Sequence, residues 1–301
     1  MKRYILNLDN GFSPCKSGAE LKIQQFDFRG GEPHVQILLP EFFDGGELVI
    51  TQRYNDPRDF MMILLAHDAA KRVGFKHIEL VLPYFPAARQ DRVCNYGEAL
   101  TIKVFTELIN NCKFEKVYIY SPHSEVTPAL LNNVQLLDLD SLFVRDIIIQ
   151  WKISKALFHK DPEDLVINVV CPDSGAGKRV GKIVQKLVKD FPENTFNLIR
   201  CEKVRDVATG ELKEFFVQAD DLGGHTTLII DDVLCMGGTF IGLGEELKKK
   251  NCGKKYLFTS HADCIDGLRK MITFFDGVYT TNSKQNWADF EHNLKCFKIE
   301  L

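Results

Sequence analysis

The sequence predicts an α/β fold of two similar halves, each a mostly parallel sheet flanked by helices. Three observations carry this. Short apolar, β-branched runs alternate with longer amphipathic ones along the 301 residues, the pattern of parallel strands joined by helical crossovers. In each half the strand-like runs end in polar clusters: PYFPAARQD and YSPHSE early, CPDSGAGKR and IDDVLCMGG late. The echo between them suggests duplication, with the junction near residue 143 in LFVRDIII and no Pro/Ser linker between the halves.

The elements follow in chain order. MKRYILNLDN reads as an opening strand, because a polar break follows its two basic residues too soon for a secretory signal. RDFMMILLAHDAAKRVG (58–74) has helical spacing of apolar residues, a basic last turn and a closing glycine. HIELVLPY (77–84) is a strand, EALTIKVFTELINNC (98–112) a helix and KVYIYSPH (116–123) a strand. In the second half LVINVVCPD (165–173), HTTLIIDD (225–232) and KYLFTSHAD (255–263) are strands. KRVGKIVQKLVKDF (178–191) and GTFIGLGEELKKKNCG (238–253) are the helices between them. In open parallel sheets ligands bind beyond the carboxyl ends of strands, where these polar clusters lie.

Composition narrows the classes. A chain 45% hydrophobic and 26% charged with net charge −3 has the balance of a soluble globular protein and lacks the basic excess of a nucleic-acid binder. Its apolar runs fall short of the ~18–20 residues that span a bilayer, so no membrane partner is expected. The nine cysteines are odd in number and form no C-x-x-C pair, which predicts a reducing, cytoplasmic setting and small buried hydrophobes rather than a disulfide framework.

The run TTLIIDDVLCMGGTF (226–240) poses the sharpest question, since two adjacent acids at a buried strand end repel one another. The glycines allow a tight turn with exposed amides, and the helix that follows favours an anion at its N-terminus. Asp231 and Asp232 can accept hydrogen bonds from vicinal hydroxyls while the turn seats a phosphate. A ribose 5-phosphate group presents both features. An N-cap plus a surface acid would explain one aspartate but not the pair.

LIIDDVLCMGGT resembles the ribose-phosphate loop of the type I phosphoribosyltransferase fold. PYFPAARQDR (83–92), YSPHSE (120–125), CPDSGAGKRV (171–180) and FTSHAD (258–263) extend the resemblance to the ribose-phosphate diphosphokinases, from about residue 26 to residue 285. It implies two tandem phosphoribosyltransferase-like domains, 1–143 binding ATP and 144–301 carrying the ribose-phosphate and catalytic loops.

The roles implied are these. Arg89 and Gln90 hold ATP, with Phe28 stacking on the base from a neighbouring subunit and Glu32 beside it. His123 and Asp173 hold Mg²⁺. Asp173, Ser174, Gly175 and Lys178 cradle the pyrophosphate, and Lys203 and Arg205 are catalytic in a loop that closes over the site. Asp231, Asp232, Cys235, Met236, Gly237, Gly238 and Thr239 bind the sugar phosphate. A homo-oligomer, dimer or hexamer, is implied by the shared ATP site.

Three departures stand out. Gly30 replaces the acid that reads the base edge in the family. Cys235 and Met236 replace an acid and a threonine in the ribose-phosphate loop, removing a hydroxyl that donates to the 5-phosphate. Ser121 stands where an acid often precedes the magnesium-site histidine. The expected reaction is transfer of the β,γ-diphosphoryl group of ATP to the anomeric hydroxyl of ribose 5-phosphate, releasing AMP. The alternative keeps the reaction with a larger acceptor such as ADP-ribose. A silent regulatory homologue fits less well, because Lys203, Arg205, His123 and Asp173 all remain. A transferase that consumes the activated sugar would leave ARQD without purpose.

Overall fold

The computed structural model describes residues 2–43, 45–158, 165–205, 212–287 and 293–301. The chain divides into two compact units: Met1–Leu137 with Asn282–Asn286 and Lys298–Leu301, and Asp138–Thr281 with Trp287–Phe297.

The first unit contains β1 (Arg3–Asn7), β2 (Ala19–Glu20), β3 (Lys22–Asp27), β4 (Pro33–Leu38), β5 (Glu47–Thr51), α1 (Pro57–Arg72), β6 (His77–Val81), α2 (Thr101–Cys112), β7 (Lys116–Tyr120), α3 (Val126–Leu130) and β8 (Val134–Leu137). Its six-stranded sheet runs β2-β1-β5-β6-β7-β8 with every pair parallel. Central strands buried on both faces are continuously apolar, as LVI in β5 and VYIY in β7 show. α1 starts at a capping box, in which Asp56 accepts from the Asp59 amide and the Asp59 carboxylate accepts from the Asp56 amide. β3 and β4 form a separate antiparallel pair.

The second unit contains α4 (Asp140–Phe158), β9 (Val166–Cys171), α5 (Gly177–Asp190), β10 (Thr195–Arg205), β11 (Leu212–Val217), β12 (Thr226–Leu234), α6 (Gly238–Lys249), β13 (Lys255–Ala262), α7 (Ile265–Phe274), β14 (Gly277–Thr281) and β15 (Leu294–Phe297). Its sheet runs β11-β10-β9-β12-β13-β14-β15, parallel except for the β10–β11 hairpin. α5 shows the spacing read from the sequence, burying Val180, Ile183, Val184 and Leu187 on one stripe.

One expectation needs correction. The strand carrying Asp231 and Asp232 does not end on them but runs to Leu234. β9 stops supporting it at Ile229, while β13 keeps pairing with it as far as Leu234, opposite Ala262. The contact division falls at 137/138, and the stretch 142–149 lies inside α4. The first unit also recovers Asn282–Asn286, through long-range bonds that no local pattern encodes. Arg53 Nη1 donates to the Asn282 carbonyl at 3.4 Å and to Asn286 Oδ1 at 3.2 Å, and Lys284 Nζ donates to the Tyr54 carbonyl at 2.6 Å.

Candidate active site

In the second unit, β9 and β12 are neighbours, and each leads through a short turn into a helix, α5 and α6. Neither N-cap residue, Ala176 or Gly237, makes a side-chain capping bond. Two helix N-termini therefore present amide N–H groups at adjacent strand ends, which is a setting for two anionic groups side by side. In the first turn, Asp173 Oδ1 accepts from the Ala176 amide at 3.0 Å and the Gly177 amide donates to the Ser174 carbonyl at 3.2 Å. Ser174, Gly175 and Lys178 are exposed on it.

The second turn is Cys235–Gly238. Gly237 sits at φ 78°, and a Cβ there would lie 2.5 Å from Met271 Cε of α7. α7 approaches closer still at Gly267, where a Cβ would fall 1.5 Å from the Cys235 carbonyl oxygen. The Cys264 thiol donates to that same oxygen at 3.1 Å, and its sulfur accepts from the Gly267 amide at 3.4 Å. The turn is thus seated directly on the start of α7. Met236 is 53% exposed at its crest, Gly238 is exposed and Thr239 half-buried.

Asp231 and Asp232 lie just before this turn, Asp231 half-buried and Asp232 buried. Asp231 Oδ1 accepts from the Asp232 amide at 2.9 Å, and Asp232 Oδ1 from the Val233 amide at 2.8 Å. Arg179 Nη2 donates to Asp231 Oδ1 at 3.2 Å. Burial, then the charge of Asp232, pushes the Asp231 carboxyl up to about 7, against the pull of Arg179.

In the first unit, the loops that follow β6 and β7 lie at the ends of paired strands, and the Tyr120 amide donates to the Pro83 carbonyl at 2.9 Å. Ala87 is left-handed at φ 58° and Ser121 at φ 42°, conformations uncommon for residues with a Cβ. The bend at Ala87, closed by the Gln90 amide donating to the Ala87 carbonyl at 2.8 Å, leaves Arg89 and Gln90 exposed. His123 is exposed on the second loop. Asp91, buried, joins the two loops. Burial raises its carboxyl, but hydrogen bonds from Arg92 and Ser124 and the charges of Arg92 and His123 outweigh that and hold it below the ordinary value. Sequence reasoning passed over Asp91 inside its own ARQD motif.

The β3–β4 hairpin carries the remaining site residues at its tip. The Phe28 amide donates to the Glu32 carbonyl at 2.9 Å, and the Gly31 amide to the Phe28 carbonyl at 2.8 Å. Phe26, Phe28 and His34 form a ring cluster with centroids 5.2–5.6 Å apart, and Phe28 is 52% exposed. A Cβ at Gly30 would meet nothing within 4 Å, so space does not account for the missing acid. The backbone of Lys203 and Arg205 belongs to β10, opposite Phe215 and Leu212; their side chains, and residues 206–211, where the catalytic loop is expected, lie outside the described residues.

Residues 18–112 match a family model described as the N-terminal domain of ribose phosphate pyrophosphokinase. Residues 146–269 match one described as a phosphoribosyl transferase domain. The chain belongs to the ribose-phosphate pyrophosphokinase family. It is an enzyme of the diphosphotransferase type. Among its curated relatives, the ribose-phosphate pyrophosphokinase of Pyrococcus abyssi is 24% identical over 264 residues, covering 86% of this chain and 82% of the relative. That of Thermococcus kodakarensis is 26% identical over 270 residues, covering 87% and 86%. The crystal structure of phosphoribosylpyrophosphate synthetase from Mycobacterium smegmatis superposes with a TM-score of 0.77 at 19% identity, covering 99% and 95%, and shows the shared two-domain fold.

A magnesium ion, which this family implies, can be tested against the donors present. Among the described residues no group of three or more His, Cys, Asp or Glu could hold an ion. Magnesium keeps several waters, prefers oxygen donors and is completed by substrate phosphates, so the oriented Asp173 carboxylate is a donor of the type that suits an ion arriving with a nucleotide.

Proposed function

We propose that this protein transfers the β,γ-diphosphoryl group of ATP to the anomeric hydroxyl of ribose 5-phosphate, giving phosphoribosyl pyrophosphate and AMP. The observation that carries this reading is the pair of neighbouring strand-to-helix turns, at the starts of α5 and α6, beside Asp231 and Asp232, which together suit a diol flanked by two anionic groups. The names of the relatives support the acceptor.

In this reading Asp231 and Asp232 accept hydrogen bonds from the ribose diol, and the Cys235–Gly238 turn with Thr239 takes the 5-phosphate. The turn at Asp173–Gly177, with Lys178, takes the diphosphoryl group being moved. Arg89 and Gln90 hold ATP, completed by Phe28 and Glu32 from a neighbouring copy. The anomeric oxygen attacks the β-phosphorus in line, the bond to the bridging oxygen of AMP breaks, and the hydroxyl proton leaves to solvent. Lys203 and Arg205 stabilise the charge that develops on the transferring group. His123 and Asp173 would hold Mg²⁺, which when bound supplies neutralisation of the phosphate oxygens. Fixing two reactants in line removes much of the entropic barrier.

The test is AMP release from ATP and Mg²⁺ with ribose 5-phosphate in one arm and ADP-ribose in the other. Turnover with ribose 5-phosphate is expected. Turnover with ADP-ribose alone would overturn the acceptor, and no AMP with either would overturn the reaction. Cys235 and Met236 make the second arm necessary, because a thiol and a thioether stand beside the 5-phosphate position.

A further inference from the structure

Arg179 belongs to none of the groups assigned above, yet its guanidinium meets Asp231. It is the third residue of α5, and its guanidinium faces two carboxylates from different elements: it hydrogen-bonds Asp231 Oδ1 on β12 at 3.2 Å, while its Nε lies 4.0 Å from Oδ2 of Asp140, the first residue of α4, an ion-pair separation longer than a hydrogen bond. Asp140 is itself buried and fixed from a third element, since Ser260 Oγ on β13 donates to its Oδ1 at 2.9 Å. Ser260 is fully buried, and its carbonyl accepts from Thr281 Oγ1 at 2.6 Å. The chain of contacts runs from β14 through Ser260, Asp140 and Arg179 to Asp231.

We infer that Arg179 is a positioning residue for the acceptor sugar: its guanidinium, drawn electrostatically toward the Asp140 carboxylate that Ser260 fixes, holds the Asp231 carboxylate in the orientation that receives the diol. Arg179 Nη2 and the Asp232 amide both meet Oδ1 of Asp231, which pins one oxygen and so sets the direction of the other. A planar guanidinium suits this because it can face two carboxylates at once, which a lysine ammonium does with less directional control. Without Arg179, Asp231 would lose the guanidinium that offsets its repulsion from Asp232.

The inference rests on the function proposed above, so its test separates the two. KM for sugar and for ATP, together with kcat, are measured for wild type, R179M, R179K, D140N and S260A. R179M is expected to raise the sugar KM at least about tenfold while ATP KM stays within about twofold, the signature of a lost ground-state sugar contact. R179K should recover part of that loss, D140N should fall between, and S260A should raise the sugar KM by about two- to threefold, since each acts through the next. A purely structural role would instead lower the melting temperature and active fraction and leave the ratio of the two KM values alone.

A folded R179M with unchanged sugar KM, or with both KM values rising equally, overturns the role of Arg179. Should R179M not fold, S260A decides, and an unmoved sugar KM there overturns it. Wild type acting on ADP-ribose alone overturns the acceptor, and the same ratio measured on ADP-ribose then judges Arg179. No turnover with either sugar overturns both.

Discussion

Asp231 is held where its charge is opposed, by burial and by Asp232, and a free protein tolerates this only because a ligand or a cation offsets it. Its folded value near 7 lies above the ordinary 3.8, so its contribution to stability is present at low pH and is lost as pH rises through about 7. Asp231→Asn removes that loss. The melting temperature of the variant should exceed that of wild type by a margin that widens from about pH 4 to about pH 7 and then levels off, reaching several degrees at ~2–4 °C per kcal/mol. Activity should fall over the same change, since an amide offers the diol a poorer acceptor. A margin independent of pH would show that Asp231 does not titrate there. Asp232→Asn should move the midpoint of the sugar KM profile to lower pH, because it removes the neighbouring charge that raises Asp231. An unmoved midpoint would detach the two carboxylates electrically.

Among the elements, α7 does the most for the site without contributing any of the residues read from motifs: Gly267 and Met271 press on Cys235 and Gly237 from behind. Its first turn lies so close to the Cys235 carbonyl that only a residue without a Cβ fits at 267. Gly267→Ala should therefore push α7 and the Cys235–Gly238 turn apart, costing about 1–3 kcal/mol as overpacking does and raising the sugar KM with little change for ATP. Calorimetric melting and the two KM values check this, and an unshifted melt would mean that the turn is free to move. This coupling is not legible in the sequence, because nothing in IDGLRK marks Gly267 as a contact for a residue thirty-two positions earlier. The strands β6, β7, β9, β12 and β13 are legible because each carries a buried run that is mostly apolar, as LV in β6 and LII in β12 show. β2, with two exposed residues, and β8, partly exposed, leave no such trace. The extension of β12 through Asp231 and Asp232 is hidden for a related reason: pairing with β13 maintains it, although its side chains have the polarity of a loop. Aspartates and glycines at strand ends are readable, whereas Arg179, Asp140 and Ser260 form one network only after three distant elements meet.

For the whole molecule, the two-unit pattern follows from repeated strand–helix alternation, while the return of Asn282–Asn286 to the first unit depends on contacts made across more than two hundred residues. The β3–β4 hairpin raises the question of assembly, because its exposed Phe26 and Phe28 rings form a small apolar surface on a separate two-stranded sheet. If Phe28 completes the ATP site of a neighbouring copy, as the family resemblance implies, then Phe28→Ala and Lys203→Ala damage different subunits of one site. Each variant alone should lose most of its turnover. Unfolded together and refolded at equal amounts, they should recover about a quarter of wild-type activity, because in a symmetric assembly a quarter of sites pair an intact Lys203 with a neighbour's intact Phe28. A mixture that stays as inactive as its parents would place Phe28 and Lys203 in the same subunit's site. The hairpin would then contribute to that site from within its own chain. Light scattering supplies the control: recovery of activity requires a species larger than one chain, and a wild-type protein that is fully active as a monomer would exclude sharing between copies altogether.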